Sequence, residues 1–183
     1  MFCPWALYHQ GMRPFLSGIV VTLLALLLGA FVYFGMGLAP VAVTAKPMPF
    51  ERLFANMALH AKISREMPKS VPIAADETAY MAAVPIYREN CAVCHGLPGQ
   101  PKTAIAAGEF PPPPQLFHGK GVSDDPAGMT YWKVTNGIRI TGMPGFESTL
   151  STTARWQVSV MLAHSLALPA SVQQLLAQPL PKP

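Results

Sequence analysis

The chain has 183 residues, 51% hydrophobic and only 12% charged, where about 25% charged is usual for a soluble domain. That imbalance points to a small domain joined to a segment that lives in lipid. Thirteen Lys/Arg against nine Asp/Glu leave a net charge of +4 with no basic run anywhere, which argues against nucleic acid as a partner.

After a short N-terminus (residues 1–14), Phe15–Leu38 reads FLSGIVVTLLALLLGAFVYFGMGL without a charge. A helix of that length reaches about 36 Å, enough for a ~30 Å hydrocarbon core with some tilt. Ser17 and Thr22 are expected to bond back to the helix's own carbonyls, and Trp5, Tyr8 and Tyr33 suit the two interfaces. Nothing else in the chain is large enough to bury such a helix in a core. Val43-Thr44-Ala45 resembles a signal cleavage site, but signal cores run to only about 7–15 apolar residues, so a retained anchor is expected. Charge does not orient it, since Arg13 stands on one side and Lys46 and Arg52 on the other.

Residues 39–79 form a connector. Within it PFERLFANMALHAKISREM has helical periodicity, with Phe50, Leu53, Phe54, Met57 and Ala61 on one face. Three roles suit such a helix: lying on the bilayer surface, packing on the following domain, or docking on another subunit. Met57 and His60 are expected to be surface or packing residues. Asp76-Glu77-Thr78 predicts a helix start, with acidic residues near the positive end of the dipole. Pro85 either bends that helix or sits in the first turn of a restarted one.

The helix leads into NCAVCHG at residues 90–96. A structural zinc site needs a second Cys/His pair, and the one other cysteine is Cys3, beyond the apolar segment. A thioredoxin-like motif wants a βαβ setting, and a simple disulfide leaves His95 unexplained. The spacing C-x-x-C-H fits covalent c-type haem: thiols of Cys91 and Cys94 one helical turn apart for two vinyl groups, and His95 for iron. A second axial ligand is then expected. Met143, between Gly142 and Pro144 in TGMPGF, is free of helical constraint and is preferred. Met129, Met161 and His164 compete less well, and His118, in a loop before Gly119 and Lys120, is a distant second.

At this point the chain resembles the class I cytochromes c, specifically membrane-anchored, single-haem bacterial members. The resemblance covers residues 80–168 and rests on YRENCAVCHG, PPPPQLF, YWKVTNGIRITGMPGF and LSTTARWQVSVMLAHSL in the family's order. It implies a small all-α domain, thioether bonds at Cys91 and Cys94, proximal ligation by His95 and distal ligation by Met143. It also implies that a carbonyl of Pro111–Pro114 accepts the imidazole Nδ1–H, and it brings Arg139 toward a haem propionate. The helix before the motif would pack on a C-terminal helix capped by Ser151, with Tyr87 against Trp156, Val160 and Ala163. Trp132 and Trp156 are expected to be packing residues. Two departures stand out: Ala83 where a glycine is common, and Pro85.

The fold expected is therefore mainly α: transmembrane anchor 15–38, helical connector 39–79, cytochrome domain 80–168, and a Pro-rich tail with a short helix at 169–183. The function expected is that of an electron carrier, not an enzyme, holding one haem c with both axial positions filled and no small-molecule substrate. Its partners would be the bilayer and redox proteins acting as donor and acceptor. As the family attaches haem outside the bacterial cytoplasmic membrane, the haem domain should be periplasmic, and Cys3 a free cytoplasmic thiol without a role. A fixed haem subunit of a larger respiratory or dehydrogenase complex, and a gas-binding haem sensor, are the alternatives.

Overall fold

Between Pro14 and Gly35 no charge interrupts the apolar run, and the backbone closes into a single helix, α1 (Trp5–Gly35), in the computed structural model of the chain. The structure describes residues 5–117 and 125–179, with side chains from Pro14 onward. Every described α1 side chain is exposed, so the stretch from Pro14 to Gly35, 22 residues, is long and apolar enough to cross a membrane. Ser17 Oγ donates to the Pro14 carbonyl and Thr22 Oγ1 to the Gly18 carbonyl, both at 2.9 Å, so neither hydroxyl is left unpaired. The helix stops three residues short of Leu38. Gly37 is left-handed (φ 68°), and the Leu38 and Gly37 amides turn back to the Tyr33 and Phe34 carbonyls, a Schellman ending that glycine permits.

The chain divides into two compact units, one ending at Pro49 and the other beginning at Phe50. Among the described residues the second unit contains only helices: α2 (Glu51–Glu66), α3 (Glu77–Asn90), α4 (Ala92–His95), α5 (Ala104–Gly108), α6 (Ala127–Asn136), α7 (Thr152–Ala163), a 3-10 turn at Ser165–Ala167, and α8 (Ala170–Ala177).

Side-chain caps fix the starts of the two central helices. Asp76 accepts from the Ala79 amide at 2.9 Å to open α3, and Ser151 accepts from the Ala154 amide at 3.1 Å to open α7. Pro85 is accommodated inside α3, which stays continuous, with the ring on the exposed side. Ala83, Val84 and Tyr87 on α3 are fully buried, as are Val158 and Met161 on α7, and these two helices pack together at the centre of the core. Tyr87 places its ring edge-on to Phe117 at 5.1 Å and donates its hydroxyl to the Gly96 carbonyl at 2.7 Å. Burial pushes its phenol far above the ordinary value, so it remains a neutral donor.

Trp156 stacks instead on Tyr131 of α6, with centroids 4.1 Å apart and planes 15° from parallel. Arg155 lies over the same Tyr131 ring and donates to Thr135 Oγ1 at 2.9 Å, which ties α7 to the end of α6.

Two segments flanking this core belong to the same unit. The α2 helix seats fully buried Ile63 against α6, and Trp132 Nε1 donates to Glu66 at 3.1 Å. Gly128 makes the approach possible, because a Cβ there would lie 2.2 Å from the Pro68 carbonyl oxygen. On the other side, α8 packs on α3 through Val172 and Leu176, both fully buried. Two aliphatic side chains buried in this way stabilise by about 1.5–3 kcal/mol each. Arg88 on α3 then donates to the carbonyls of Leu175, Gln178 and Pro179 at 3.3, 2.6 and 2.9 Å, a cation on the negative end of the α8 dipole.

Arg88→Ala is therefore expected to cost about 1–3 kcal/mol. Hydrogen exchange should show α8 amides losing protection while those of α3 keep it. At the α2–α6 contact, Glu66 is held below the ordinary carboxylate range, first by Lys62 and then by Trp132. A carboxyl with a depressed folded-state value contributes above the unfolded value and loses its contribution as pH falls through the folded one. Protection of α2 amides should accordingly be flat from neutral pH to about pH 5 and decline only below about pH 4.

Candidate haem site

The end of α3 creates the attachment turn. Cys91 leaves the helix with its amide on the Tyr87 carbonyl at 2.8 Å, and its own carbonyl accepts the Cys94 and His95 amides at 3.1 and 2.8 Å. One short helix, α4, with Cys91 as its N-cap, thus brings both sulfurs and the imidazole together, and Gly96 ends it in the left-handed region at φ 73°. Both thiols are free. The Cys91 thiol is pushed up to about 12 by burial and then by Cys94; the Cys94 thiol is raised by burial and then by Glu109. Both are therefore neutral S–H groups near pH 7.

His95 Nδ1 lies 2.8 Å from the Pro114 carbonyl oxygen. A carbonyl only accepts, so the Nδ1 proton sits in that bond and Nε2 keeps its lone pair. Burial holds the imidazole below its ordinary value, against the opposing pull of Pro114 and Glu109. The result is a neutral, oriented ring, the form a metal requires. The proline run is the acceptor that the sequence pattern implied. Gln115 next to it lies against Gly96, where a Cβ would come within 2.9 Å of the Gln115 amide. Thr103 braces the other side of the turn: its Oγ1 donates to the Val93 carbonyl at 2.6 Å and accepts from the Ala106 amide at 3.1 Å, capping α5.

The loop bearing Met143 is held by backbone against backbone. Gly137 ends α6 at φ 67°, and a Cβ on it would meet the Gly145 amide nitrogen at 2.6 Å and the Met143 carbonyl oxygen at 2.8 Å. Gly145 faces the Asn136 carbonyl as closely. The Ile138 amide donates to the Met143 carbonyl at 3.2 Å, the Phe146 amide to the Val134 carbonyl at 2.9 Å, and the Met143 amide to Thr141 Oγ1 at 3.1 Å. Met143 is half-buried and packs against the core.

Glu109 links the two halves, and sequence inspection had not singled it out. Its Oε1 accepts from the Cys94 thiol at 3.4 Å, while a Cβ on Gly142 would lie 2.7 Å from its Oε2. One carboxylate therefore touches the attachment turn and the residue before Met143. Thr103 and Gln115 were missed too; a Thr opening a short Ala-rich stretch was the only local signal for the former.

Two of the rival axial ligands are engaged elsewhere. Met161 is fully buried in the core, and His164 Nδ1 is 2.8 Å from the Val160 carbonyl, with its ring beside Tyr80. Met129 is half-buried in the first turn of α6. His118 lies outside the described residues. Arg139 is exposed on the Met143 loop. Trp132 and Trp156 have the packing roles expected of them, on Glu66 and Tyr131. Two thiols outside any disulfide and one turn apart, followed by an imidazole with its Nε2 lone pair available, form a donor set that fits haem c.

Residues 78–160 match the model of the family described as cytochrome C oxidase, cbb3-type, subunit III, which is a c-type cytochrome domain. A search of curated proteins finds no match to the chain. Helices without strands among the described residues, the C-x-x-C-H turn and this family match agree: the chain carries a class I cytochrome c domain, with covalently bound haem c.

Proposed function

We propose that this protein is a membrane-tethered cytochrome that passes single electrons through one haem c in a bacterial respiratory chain. In this reading Cys91 and Cys94 supply the thioether sulfurs, His95 Nε2 is the proximal ligand, Met143 sulfur is the distal ligand, and α1 anchors the domain on the periplasmic face of the cytoplasmic membrane. The observation that carries it is His95 held by its Nδ1 proton on the Pro114 carbonyl, at the end of a turn presenting two free thiols.

The haem supplies an iron that cycles between two oxidation states. The residues around it set how readily it does so. The Pro114 carbonyl strengthens His95 as a donor by drawing on its Nδ1 proton. A thioether opposite it, as a weak and soft donor, favours Fe(II) and raises the potential relative to a second imidazole. Gly137 and Gly145 keep the Met143 backbone close to the end of α6, so the sulfur arrives on a braced loop. Tyr87, neutral and buried, holds the Gly96 carbonyl and with it the end of the attachment turn. Were His95 and Met143 both to hold the iron, no position on it would be left for a substrate, which is the basis for reading a carrier instead of an enzyme.

A fixed haem subunit of a larger complex is the second reading. It is favoured by the printed description of the matching family, an oxidase subunit. Native electrophoresis after gentle detergent extraction separates the two: a tethered carrier migrates alone, a subunit with its complex.

Met143→Ala is expected to leave haem attached, abolish the near-infrared sulfur-to-iron band of the ferric protein, and lower the midpoint potential. Met129→Ala should change neither, and the reverse pattern would move the distal ligand to Met129. Cys91→Ser combined with Cys94→Ser should give protein without haem staining after denaturing electrophoresis. Staining that persists would refute attachment at these two sulfurs.

A further inference from the structure

The α2 helix has two apolar faces, and only one is used within the folded unit. At about 100° per residue, Leu59, Ile63 and Glu66 share the side that meets α6, where Ile63 is wholly buried and Glu66 bonds Trp132. Leu53, Phe54, Met57 and Ala61 lie on the opposite side. Phe54 stacks edge-on with Phe50 at 6.4 Å. Exposure separates the two faces sharply: Phe50, Leu53, Phe54 and Met57 are 69, 52, 64 and 58% exposed, against 0% for Ile63. Four large apolar side chains left in water on successive turns of one helix mark a surface that something covers.

We propose that this face lies in the headgroup layer of the bilayer that α1 crosses, so that α2 is an interfacial helix with the haem domain seated on its back. The inference rests on the tethered reading above. Three observations favour lipid as the occupant. First, apolar exposure continues along the chain from the spanning segment into this face: Leu38, Val41 and Val43 in the intervening stretch are 60, 92 and 54% exposed. Second, only residues 36–50 separate the spanning segment from this face in the chain, at most about 50 Å of extended backbone. Third, the segment from Lys46 to Lys69 holds five basic residues (Lys46, Arg52, Lys62, Arg65, Lys69) and two acidic ones (Glu51, Glu66); Lys62 and Glu66 pair with each other, and a net basic excess of three remains. An apolar stripe on a net basic segment matches anionic headgroups over acyl chains. The consequence is that the α2–α6 contact would tie the haem domain to the membrane surface.

The test uses the full-length holoprotein in nanodiscs of phosphatidylcholine doped with phosphatidylglycerol. In a Cys3→Ser background the haem thioethers occupy Cys91 and Cys94, so a nitroxide attaches only to a newly introduced thiol. Labels go singly at Phe54→Cys, at Ala55→Cys, an exposed position on the Leu59 side of α2, and at Leu27→Cys in α1, with haem absorbance as the check on folding. The Phe54 label is expected to keep collisions with dissolved oxygen and lose those with a water-soluble nickel chelate, while the Ala55 label remains open to the chelate. A Phe54 label fully open to the chelate while Leu27 reports lipid overturns the inference and leaves the tether standing. A Phe54 label shielded from both reagents also overturns it, in favour of a protein occupant such as a second copy or another subunit. A Leu27 label open to the chelate removes the tether itself, and the inference with it.

Discussion

The Pro114 carbonyl and the His95 Nδ1 proton form the contact on which the haem site depends. An imidazole on a four-residue helix is free to rotate about two bonds, and iron requires one orientation and one tautomer. A single 2.8 Å contact settles both. Its acceptor comes from a run of four prolines, whose fixed φ values leave that carbonyl few directions in which to point. No helix or sheet ladder competes for it. The contact then makes demands on its neighbours. Gly96 must turn left-handed so that the chain clears Gln115, and Tyr87 must remain neutral to hold the Gly96 carbonyl. Both follow from position: Gly96 has no Cβ, and Tyr87 lies at the bottom of the α3–α7 core.

The loop of Met143, the proposed distal ligand, uses a different device. A methionine loop carries no ring to be locked by a hydrogen bond, so its position comes from close backbone approach. Gly137 and Gly145 allow the chain before and after Met143 to touch at distances that any Cβ would prohibit. The loop is thereby attached to α6, α6 to α7 through Arg155 and the Tyr131–Trp156 stack, and α7 to α3, whose end forms the attachment turn. The spacing between the two halves of the site is thus a property of the helical core, with Glu109 as a direct bridge between Cys94 and Gly142.

What could be read in the chain beforehand follows the range of the interaction. The caps at Asp76 and Ser151, the returning hydroxyls of Ser17 and Thr22, and the attachment turn all act within four residues, and the string displays them. The proline acceptor was legible through resemblance, since nothing in PPPPQLF alone aims a carbonyl at a ring 19 residues away. Long-range pairs leave no such trace. Trp132 and Glu66 stand 66 positions apart, and Arg88 finds carbonyls 87 to 91 positions onward. Those pairs explain why the compact unit takes in both α2 and α8, where periodicity alone suggested a connector and a tail. Tyr87 has its ring in the core cluster that includes Val160 of α7, and the bond from its hydroxyl to the Gly96 carbonyl is the part that the sequence did not display.

The two flanking helices are attached by different physics, and the difference bears on what each can do. The α8 helix contributes two fully buried aliphatic side chains and places its terminal carbonyls on a guanidinium, so its removal would expose core and orphan a cation together. Its role is to close the domain. The α2 helix contributes one fully buried side chain, a glycine-permitted approach at Pro68 and one indole-to-carboxylate bond, while most of its apolar surface faces away. A helix that gives so little of its hydrophobic surface to its own domain is poorly explained as a stabilising element. It is well explained as a coupling, with a small polar-assisted contact toward the haem and a large apolar one toward whatever carries the domain. On the proposed placement of α2 at the bilayer, electron transfer would benefit, because a carrier restricted in its approach searches fewer orientations than one on a free linker.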